Sequence, residues 1–345
     1  MEKPVLASII GTRPQTIKHA VLRKALLPHF NVITIHTGQH YDPSLFHELF
    51  ADLLLPPPDF SVTREGANSS GEWLDRIVHI LQQVKPNAVI VFGDTDSTLL
   101  GSRAANKLGI PLVHVEAGER SYNDDMPEEQ NRKLSDQLAK ILFCVSSRSA
   151  RQLRKEGISN GVFVVGDLMK DLLIRNVADC QLPSGPDYYL ATIHRNYTQK
   201  DGKKLSDFLN QLDSLDATVI FPLHPSTKRW LSEHEIDAVV YSNINFVAPV
   251  GYNKCLCLQK NARAIITDSG GMQKEAYWLK KPCITLRTET EWTETLEHHW
   301  NQLCYNGIEI DALLKNKPGF HNESLYGNGD AAGNITKILL NELQC

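Results

Sequence analysis

The chain has 345 residues, of which 42% are hydrophobic and 22% are charged, and its formal net charge at pH 7 is −4. This composition is typical of a globular protein of two domains, and it argues against nucleic acid as a main partner. The first residues show no signal-peptide pattern, and no stretch reaches the roughly 18 apolar residues that a membrane span needs. We therefore expect a cytoplasmic protein with no membrane partner.

The seven cysteines form no CxxC pair and no zinc-ligand spacing. Several of them lie in apolar runs, where a reduced thiol packs as a small hydrophobic side chain. We expect a reducing compartment and no bound metal.

A first series of continuously apolar runs alternates with segments of helix length. The runs are residues 5–10, 32–36, 88–93, 112–116, 141–146 and 162–166. This alternation predicts an α/β fold with parallel strands that helices cover on both faces. Three runs end in the polar sequences Gly11-Thr12-Arg13-Pro14, Gly93-Asp94-Thr95 and Glu116-Ala117-Gly118. Because ligands bind at the carboxyl ends of such strands, we expect these three ends to border one crevice.

A second series follows after a predicted linker that contains Pro183-Ser184-Gly185-Pro186. Its runs are residues 189–194, 217–224, 244–249, 264–268 and 282–287. The two series predict two Rossmann-like, doubly wound domains that face each other across a cleft, with the active site between them. We assign residues 1–170 to the first domain, 171–330 to the second, and 331–345 to a terminal helix that could pack back across the hinge.

The sequence Asp268-Ser269-Gly270-Gly271 predicts a buried strand that leads into a helix opened by glycine. Such a helix start binds anions, because its first N–H groups are unpaired donors and the helix dipole is positive there. Glu275, about one turn further on, could accept hydrogen bonds from ribose hydroxyls. The alternative is an ordinary turn with Ser269 as the helix N-cap.

Charged residues divide unevenly between the two halves. The first half supplies Asp94, Glu116 and Glu128-Glu129, although a carboxylate taken singly is more often a helix cap or a solvated group. Cationic and histidine side chains that could contact a diphosphate are Arg13 and Lys18 in the first half, and His194-Arg195 and His224 in the second. This combination favours a nucleotide-diphosphate sugar, with acid–base chemistry on the attached group. Because there is no GxGxxG after the first strand and no GxxxxGK[ST] loop, we expect neither a hydride-transfer cofactor nor ATP.

The chain resembles the UDP-N-acetylglucosamine 2-epimerase family, non-hydrolysing type, over essentially its whole length. The motifs that show the resemblance are Gly11-Thr12-Arg13-Pro14 with Ile17-Lys18, Thr37-Gly38-Gln39-His40, Gly93-Asp94-Thr95, His114-Val115-Glu116-Ala117-Gly118, Pro127-Glu128-Glu129 with Asn131-Arg132, His194-Arg195, and Thr267-Asp268-Ser269-Gly270-Gly271 with Gln273 and Glu275. The resemblance implies a GT-B fold, a homodimer and no cofactor. It also implies interconversion of UDP-GlcNAc and UDP-ManNAc for surface polysaccharide, by elimination of UDP to 2-acetamidoglucal and re-addition.

Matching the motifs residue by residue gives two candidate sets. The candidate catalytic residues are Asp94, Glu116, Glu128, His194 and Lys18. The candidate substrate-binding residues are Arg13, His224, Ser269, Gly270, Gly271 and Glu275. The resemblance leaves open which carboxylate takes the C2 proton, and the assignment includes no metal ligand.

Three segments depart from the common family pattern. Tyr41-Asp42 replaces Arg-Glu in the region that binds an activating UDP-GlcNAc in many bacterial members, which speaks against allosteric activation. Ile193-His194-Arg195-Asn196-Tyr197 replaces Gly-His-Arg-Arg-Glu. Thr290-Glu291-Trp292-Thr293-Glu294 resembles relatives that act on diacetamido uronates or 6-deoxy acetamido sugars. The alternatives are therefore an epimerase of such a modified sugar, a hydrolysing epimerase that releases ManNAc and UDP, a GT-B glycosyltransferase, and a catalytically silent binding protein.

Overall fold

The computed structural model describes residues 2–39, 49–62, 70–178, 180, 187–193, 202–305 and 309–343. The chain divides into two compact units. Unit 1 is Met1–Leu172 together with Ser324–Cys345, and unit 2 is Leu173–Glu323.

Unit 1 is built on a seven-stranded parallel sheet with the order β3-β2-β1-β4-β5-β6-β7. The strands are β1 (Val5–Ile10), β2 (Asn31–His36), β3 (Phe60–Ser61), β4 (Ala88–Phe92), β5 (Leu112–Val115), β6 (Ile141–Cys144) and β7 (Val162–Val164). Every residue of the central strand β4 is buried, as expected for a strand that helices cover on both faces. The order has the doubly wound pattern, in which the connections from β1 and β4 leave in opposite directions.

The helices of unit 1 connect these strands, and a last helix closes the chain. They are α1 (Arg13–Leu26), α2 (Ser70–Val84), α3 (Asp96–Lys107), α4 (Pro127–Leu138), α5 (Ser147–Lys155) and α6 (Leu168–Val177), with α12 (Ala331–Glu342) at the end. The last five residues of α6 extend beyond Leu172 into unit 2. Pro14 and Pro127 lie in the first turns of α1 and α4, where the missing N–H costs no hydrogen bond.

The terminal helix α12 belongs to unit 1 and packs against α1. Ile335 and Leu339 are fully buried and join the same apolar core as Leu22 and Leu26. Asp171 caps the helix, since its two carboxylate oxygens accept from the backbone N–H groups of Ala331 and Ala332 at 3.0 and 2.9 Å. The end of the chain is therefore part of the first core.

Unit 2 repeats the same order in a six-stranded parallel sheet, β10-β9-β8-β11-β12-β13. Its strands are β8 (Tyr188–Thr192), β9 (Thr218–Pro222), β10 (Ile244–Val247), β11 (Ile265–Thr267), β12 (Cys283–Thr285) and β13 (Asn301–Leu303). Its helices are α7 (Gly202–Asp213), α8 (Pro225–Glu233), α9 (Tyr252–Asn261), α10 (Gly270–Trp278) and α11 (Ile310–Leu314).

The predicted fold class is confirmed, and each apolar run of the sequence falls on a strand. Most strands end one or two residues before the run does, because the last residues turn out of the ladder to begin the next connection. Two strands were not predicted, Phe60–Ser61 and Asn301–Leu303. Both are edge strands of two or three residues, which is too short for a hydrophobic period to show.

The expectation that all cysteines are reduced is wrong for two of them. Cys180 and Cys257 form a disulfide within unit 2, whereas Cys144, Cys255, Cys283 and Cys304 are free thiols. The two partners are 77 residues apart, and nothing in the local sequence marks them as a pair. In the described part of the chain, no helix is both long and apolar enough to cross a bilayer.

Candidate active site

The candidate site of unit 1 lies at the carboxyl ends of β1, β4 and β5. Gln15 of α1 holds these ends together, because its Oε1 accepts from the N–H of Gly11 at 2.8 Å and its Nε2 donates to the carbonyl of Phe92 at 2.8 Å. The same Nε2 lies 2.8 Å from the hydroxyl of Thr95 at the start of α3. Two neighbouring strand ends are thereby joined through one buried side chain.

Lys18 and Glu116 form a close ion pair in this site. The Lys18 Nζ lies 2.6 Å from Oε2 of Glu116, and the two side chains are only 9% and 12% exposed. Lys18 reaches the pair from α1, whereas Glu116 directly follows β5. The structure therefore brings together two residues that are 98 positions apart in the sequence and that we predicted as catalytic.

The turns that carry these residues use unusual backbone conformations. Glu116 has a φ of +70° and Gly93 a φ of +62°, both in the left-handed region. A Cβ added to Gly93 would lie 3.5 Å from Oε1 of Glu116 and 3.9 Å from the Nζ of Lys18. A glycine at position 93 thus tolerates the conformation and keeps side-chain atoms away from the ion pair.

Asp94 is held by two residues of α4. Arg132 donates to its carboxylate through Nη2, and the Nδ2 of Asn131 donates to its backbone carbonyl at 3.1 Å. The Nη1 of Arg132 also pairs at 3.2 Å with Glu129, which is fully buried and accepts from the hydroxyl of Ser121 at 2.8 Å. Arg132 therefore fixes Asp94 while being fixed itself.

Glu128 and Arg13 differ from the residues above in that their side chains are not tied down. Glu128 is half-buried in the first turn of α4, and Arg13 is exposed at the first residue of α1. Neither has a hydrogen bond or ion pair to another side chain of the described residues. Each can therefore turn toward a bound ligand without breaking an existing contact.

Unit 2 provides the predicted helix start at its own switch point, directly after β11. Ser269 is the N-cap residue of α10, as in the alternative interpretation, but its side chain makes no capping hydrogen bond. Gly270 and Gly271 form the first turn, and among the described residues a Cβ added to Gly271 would meet nothing nearer than the hydroxyl of Ser269 at 3.9 Å. Within this part of the chain the space beside Gly271 is open.

Glu275 lies one turn further along α10 and is 4% exposed. Its Oε2 accepts from Nε2 of Gln259 in α9 at 2.7 Å, so the carboxylate is oriented by a neighbouring helix. The next residue toward the helix start, Lys274, is also buried, and its Nζ lies 3.6 Å from the ring centre of Trp292, a cation–π contact.

His224 lies at the N-cap of α8 and is exposed. Its Nδ1 accepts from the backbone N–H of Ser226 at 3.2 Å, so the ring itself caps the helix. Thr227 of the same helix donates to the carbonyl of Ile193, which directly follows β8. His194, the next predicted catalytic residue, lies outside the described residues, as do Arg195, Tyr41 and Asp42.

Several residues that organise the site were not predicted to act in it. They are Gln15, Asn131, Arg132, Gln259, His114 and Asp136, while Glu129 was named only among the carboxylates of the first half. Most of them lie in the quoted motifs or on the same helix as a predicted residue, but Gln259 does neither. Among the described residues, no group of three or more His, Cys, Asp and Glu side chains could hold a metal ion.

The two sheets of Rossmann order, with polar residues following the central strands of each, define a two-unit α/β protein of the nucleotide-binding class. Residues 24–340 match the family model described as UDP-N-acetylglucosamine 2-epimerase. The chain belongs to this family, and it is therefore an isomerase.

Individual relatives are similar over their whole length. A UDP-N-acetylglucosamine 2-epimerase homolog of Methanococcus maripaludis is 38% identical over 97% of this chain and 99% of that protein. The UDP-2,3-diacetamido-2,3-dideoxy-D-glucuronate 2-epimerase of Pseudomonas aeruginosa is 35% identical over the same shares. The crystal structure of Methanocaldococcus jannaschii UDP-GlcNAc 2-epimerase in complex with UDP-GlcNAc and UDP is 36% identical, covers 98% of this chain and 99% of that chain, and has a TM-score of 0.88.

Proposed function

We propose that this epimerase interconverts UDP-GlcNAc and UDP-ManNAc by eliminating UDP to 2-acetamidoglucal and adding it back. The observation that supports this best is the Lys18–Glu116 ion pair, which lies at the end of β5 next to the Gly93-Asp94 turn. The similarity to a Methanocaldococcus jannaschii enzyme solved with UDP-GlcNAc and UDP supports the choice of substrate.

The reaction poses a specific chemical problem, because no carbonyl group acidifies the C2 proton of the sugar. Elimination solves it by cleaving the bond between C1 and the phosphate oxygen while a base removes the C2 proton. Positive charge then develops at C1 and negative charge on the β-phosphate. The oxidation level of the sugar does not change, so the route requires no redox carrier.

The carboxylates of unit 1 suit the proton transfers. Glu116, whose Oε2 lies 2.6 Å from the Nζ of Lys18, is suited to accept the C2 proton on one face. Glu128, which is half-buried and has no cation paired to it among the described residues, is suited to deliver a proton to the opposite face during re-addition. Asp94, fixed by Arg132, can stabilise positive charge at C1.

The helix start of unit 2 suits the leaving group. The first N–H groups of α10 at Gly270 and Gly271 can donate to a phosphate, and the open space at Gly271 lets it approach. Glu275 can accept from ribose hydroxyls, while His224, His194 and Arg13 are assigned to the diphosphate. These contacts strengthen as charge builds on the departing UDP.

A second candidate substrate is UDP-2,3-diacetamido-2,3-dideoxy-D-glucuronate, the substrate that the similar Pseudomonas aeruginosa protein is named for. The segment Thr290-Glu291-Trp292-Thr293-Glu294, whose Trp292 stacks on Lys274, is the feature that favours it. A 6-deoxy acetamido sugar and a hydrolysing outcome remain as further alternatives.

Proton NMR of the purified protein with UDP-GlcNAc in deuterated water separates these candidates. We expect anomeric signals of UDP-ManNAc to grow while deuterium enters C2. Free ManNAc with UDP would indicate the hydrolysing reaction instead. No change with UDP-GlcNAc, but turnover of the diacetamido uronate, would reassign the substrate and keep the mechanism. Binding of all these UDP-sugars without turnover would contradict the proposed function.

We also propose that the protein is a cytoplasmic homodimer that supplies N-acetylmannosamine units for surface polysaccharide. The family resemblance supports the dimer, and light scattering coupled to gel filtration tests it. The Cys180–Cys257 disulfide makes the proposed location testable, because such bonds are rare in cytosolic proteins and a cytoplasmic protein should keep both thiols reduced in the cell. Mass spectrometry of protein alkylated inside intact cells will show whether these two thiols are free there.

A further inference from the structure

A chain of buried polar side chains runs beneath the ends of β4 and β5. His114 lies on β5 two residues before Glu116, and its ring is completely buried. Its Nε2 lies 2.7 Å from the carbonyl oxygen of Gly93, and its Nδ1 lies 2.7 Å from Oδ1 of Asp136 on α4. Both neighbours accept hydrogen bonds, so both contacts are hydrogen bonds only if the ring carries a proton on each nitrogen.

Asp136 extends this series of hydrogen-bonded side chains to the other side of Glu116. Its Oδ2 accepts from the backbone N–H of Gly118 at 3.2 Å and pairs with the guanidinium of Arg120 at 2.7 Å. Arg120 in turn pairs with Glu156 at 2.6 Å. Burial by itself would raise the pKa of Asp136, but His114 and Arg120 together hold that pKa below its usual range.

These contacts lie on both sides of two turns whose backbone conformations are unusual. Gly93, Glu116 and Gly118 all have positive φ, at +62°, +70° and +81°. For Glu116, which has a Cβ, this conformation is strained and persists only where its surroundings enforce it. The His114 ring holds the carbonyl before Asp94, and the Asp136 carboxylate holds the N–H two residues after Glu116.

We infer that His114 and Asp136 are positioning residues that hold the Asp94 and Glu116 turns in register for catalysis. This inference rests on the proposed function, since it takes Asp94 and Glu116 to be the reacting carboxylates. Neither His114 nor Asp136 is accessible to a substrate, so both act only through the two turns. A purely structural role would require only that the space be filled, and an apolar group could do this at similar stability.

The test compares His114→Phe and Asp136→Asn with two controls from the same region. Glu156→Gln weakens the ion pair between Arg120 and Glu156. Ser135→Ala removes the buried hydrogen bond of 3.0 Å between Ser102 and Ser135, which joins α3 and α4. Each protein is assayed by C2 deuterium incorporation with the UDP-sugar that the unchanged enzyme turns over, by UDP binding, and by urea unfolding.

We expect His114→Phe to lower kcat at least 100-fold and Asp136→Asn at least tenfold, with KM and the Kd for UDP within threefold of the unchanged enzyme. Both controls should keep kcat within twofold even where their unfolding midpoints fall. Nitrogen-15 NMR should show protons on both ring nitrogens of His114. If His114→Phe does not fold, Asp136→Asn and the NMR signature decide.

Three results would overturn the inference while leaving the proposed function intact. The first is a kcat within twofold of the unchanged enzyme in both variants, and the second is a kcat loss that the controls match at equal unfolding stability. The third is a His114 ring protonated on only one nitrogen, which would contradict the double hydrogen bond. If the unchanged enzyme turns over no UDP-sugar, the proposed function fails, and this inference fails with it.

Discussion

The two units have the same strand order around the switch point but place different groups there. In unit 1 the residues that follow the central strands are carboxylates, each held by a cation: Glu116 by Lys18 and Asp94 by Arg132. In unit 2 the corresponding strand end leads through the buried Asp268 to Ser269, Gly270 and Gly271, which present backbone N–H groups. The difference shows that the sheet supplies the place, while the few residues after each strand set its chemical character.

This contrast predicts a division of kinetic effects. If unit 1 performs the proton transfers, its variants should change kcat and leave the affinity for UDP unaltered. If unit 2 holds the diphosphate, its variants should weaken UDP binding more than they slow the chemical step. The predictions below test that division and the separate stability of each unit.

The largest effect is expected for Glu116→Gln, which keeps the shape of the side chain but removes its ability to accept a proton. We expect kcat to fall about 10³-fold, equivalent to about 4 kcal/mol, while the Kd for UDP stays within threefold. Steady-state kinetics and calorimetric UDP titration measure both quantities. Asp75→Asn is the matched control, because Asp75 also pairs with a lysine, Lys107, but on the exposed surface. Equal kcat losses in the two variants would refute the assignment.

How far the sequence could predict this site depends on the kind of residue. Strand ends were readable, because continuous apolar runs that stop at Gly93-Asp94 and at Glu116 mark buried parallel strands. The Lys18–Glu116 and Asp94–Arg132 pairs were not readable, because each depends on which strands lie side by side in the sheet. That order places α1 and α4 next to β4 and β5, and no local pattern records it.

Buried polar residues were the hardest to predict. His114 and Asp136 sit in segments where a single histidine or aspartate has no local meaning, and their contact exists only after α4 packs on the sheet. The Cys180–Cys257 disulfide was missed for the same reason, since partners 77 residues apart meet only in the folded unit. Contacts between residues that are far apart in the sequence are therefore visible only in the structure.

The second largest effect concerns unit 2 alone and comes from its disulfide. A disulfide restricts the unfolded chain and typically contributes about 2–4 kcal/mol, so breaking this one should lower the free energy of unfolding by about 3 kcal/mol. Urea unfolding with and without reductant measures this loss, and Cys257→Ser should show the low value in both conditions. Cys255→Ser, which removes a free thiol of the same helix, should stay sensitive to reductant. If reductant does not change the free energy of unfolding of the unchanged protein, the bond does not form in solution.

A smaller effect is expected for Gly271→Ala, which places a methyl group in the open space at the start of α10. The variant should fold without strain, because among the described residues a Cβ at position 271 meets only the Ser269 hydroxyl at 3.9 Å. It should, however, keep a phosphate from the helix N–H groups and raise the Kd for UDP about 30-fold, equivalent to about 2 kcal/mol, the scale of a hydrogen bond to a charged group. Gly319→Ala, at another non-strained glycine of unit 2, should leave the Kd unchanged. A normal Kd in Gly271→Ala would place the diphosphate elsewhere.

The smallest effect, counted per pH unit, is expected from His19 in unit 1. This ring is completely buried, with its Nδ1 2.8 Å from the hydroxyl of Ser8 and its Nε2 3.1 Å from the hydroxyl of Thr34. Burial, assisted by the charge of Arg23, lowers the pKa of His19 to about 3. Between pH 6.5 and pH 3 the unfolded chain therefore binds a proton at this site that the folded protein does not. Stability is highest above pH 6.5 and should fall by about 1.4 kcal/mol for each pH unit below it.

His19→Gln can keep hydrogen bonds to both hydroxyls but does not titrate, so its stability should depend less steeply on pH by that amount. Urea unfolding at pH 7, 6 and 5 measures the slope for the unchanged protein, for His19→Gln and for His29→Gln, an exposed histidine of the same unit. The slope should flatten only in the His19 variant. Equal slopes in all three would contradict the lowered pKa of His19 and would leave the acid sensitivity to other groups, such as His36, whose pKa burial lowers to about 4.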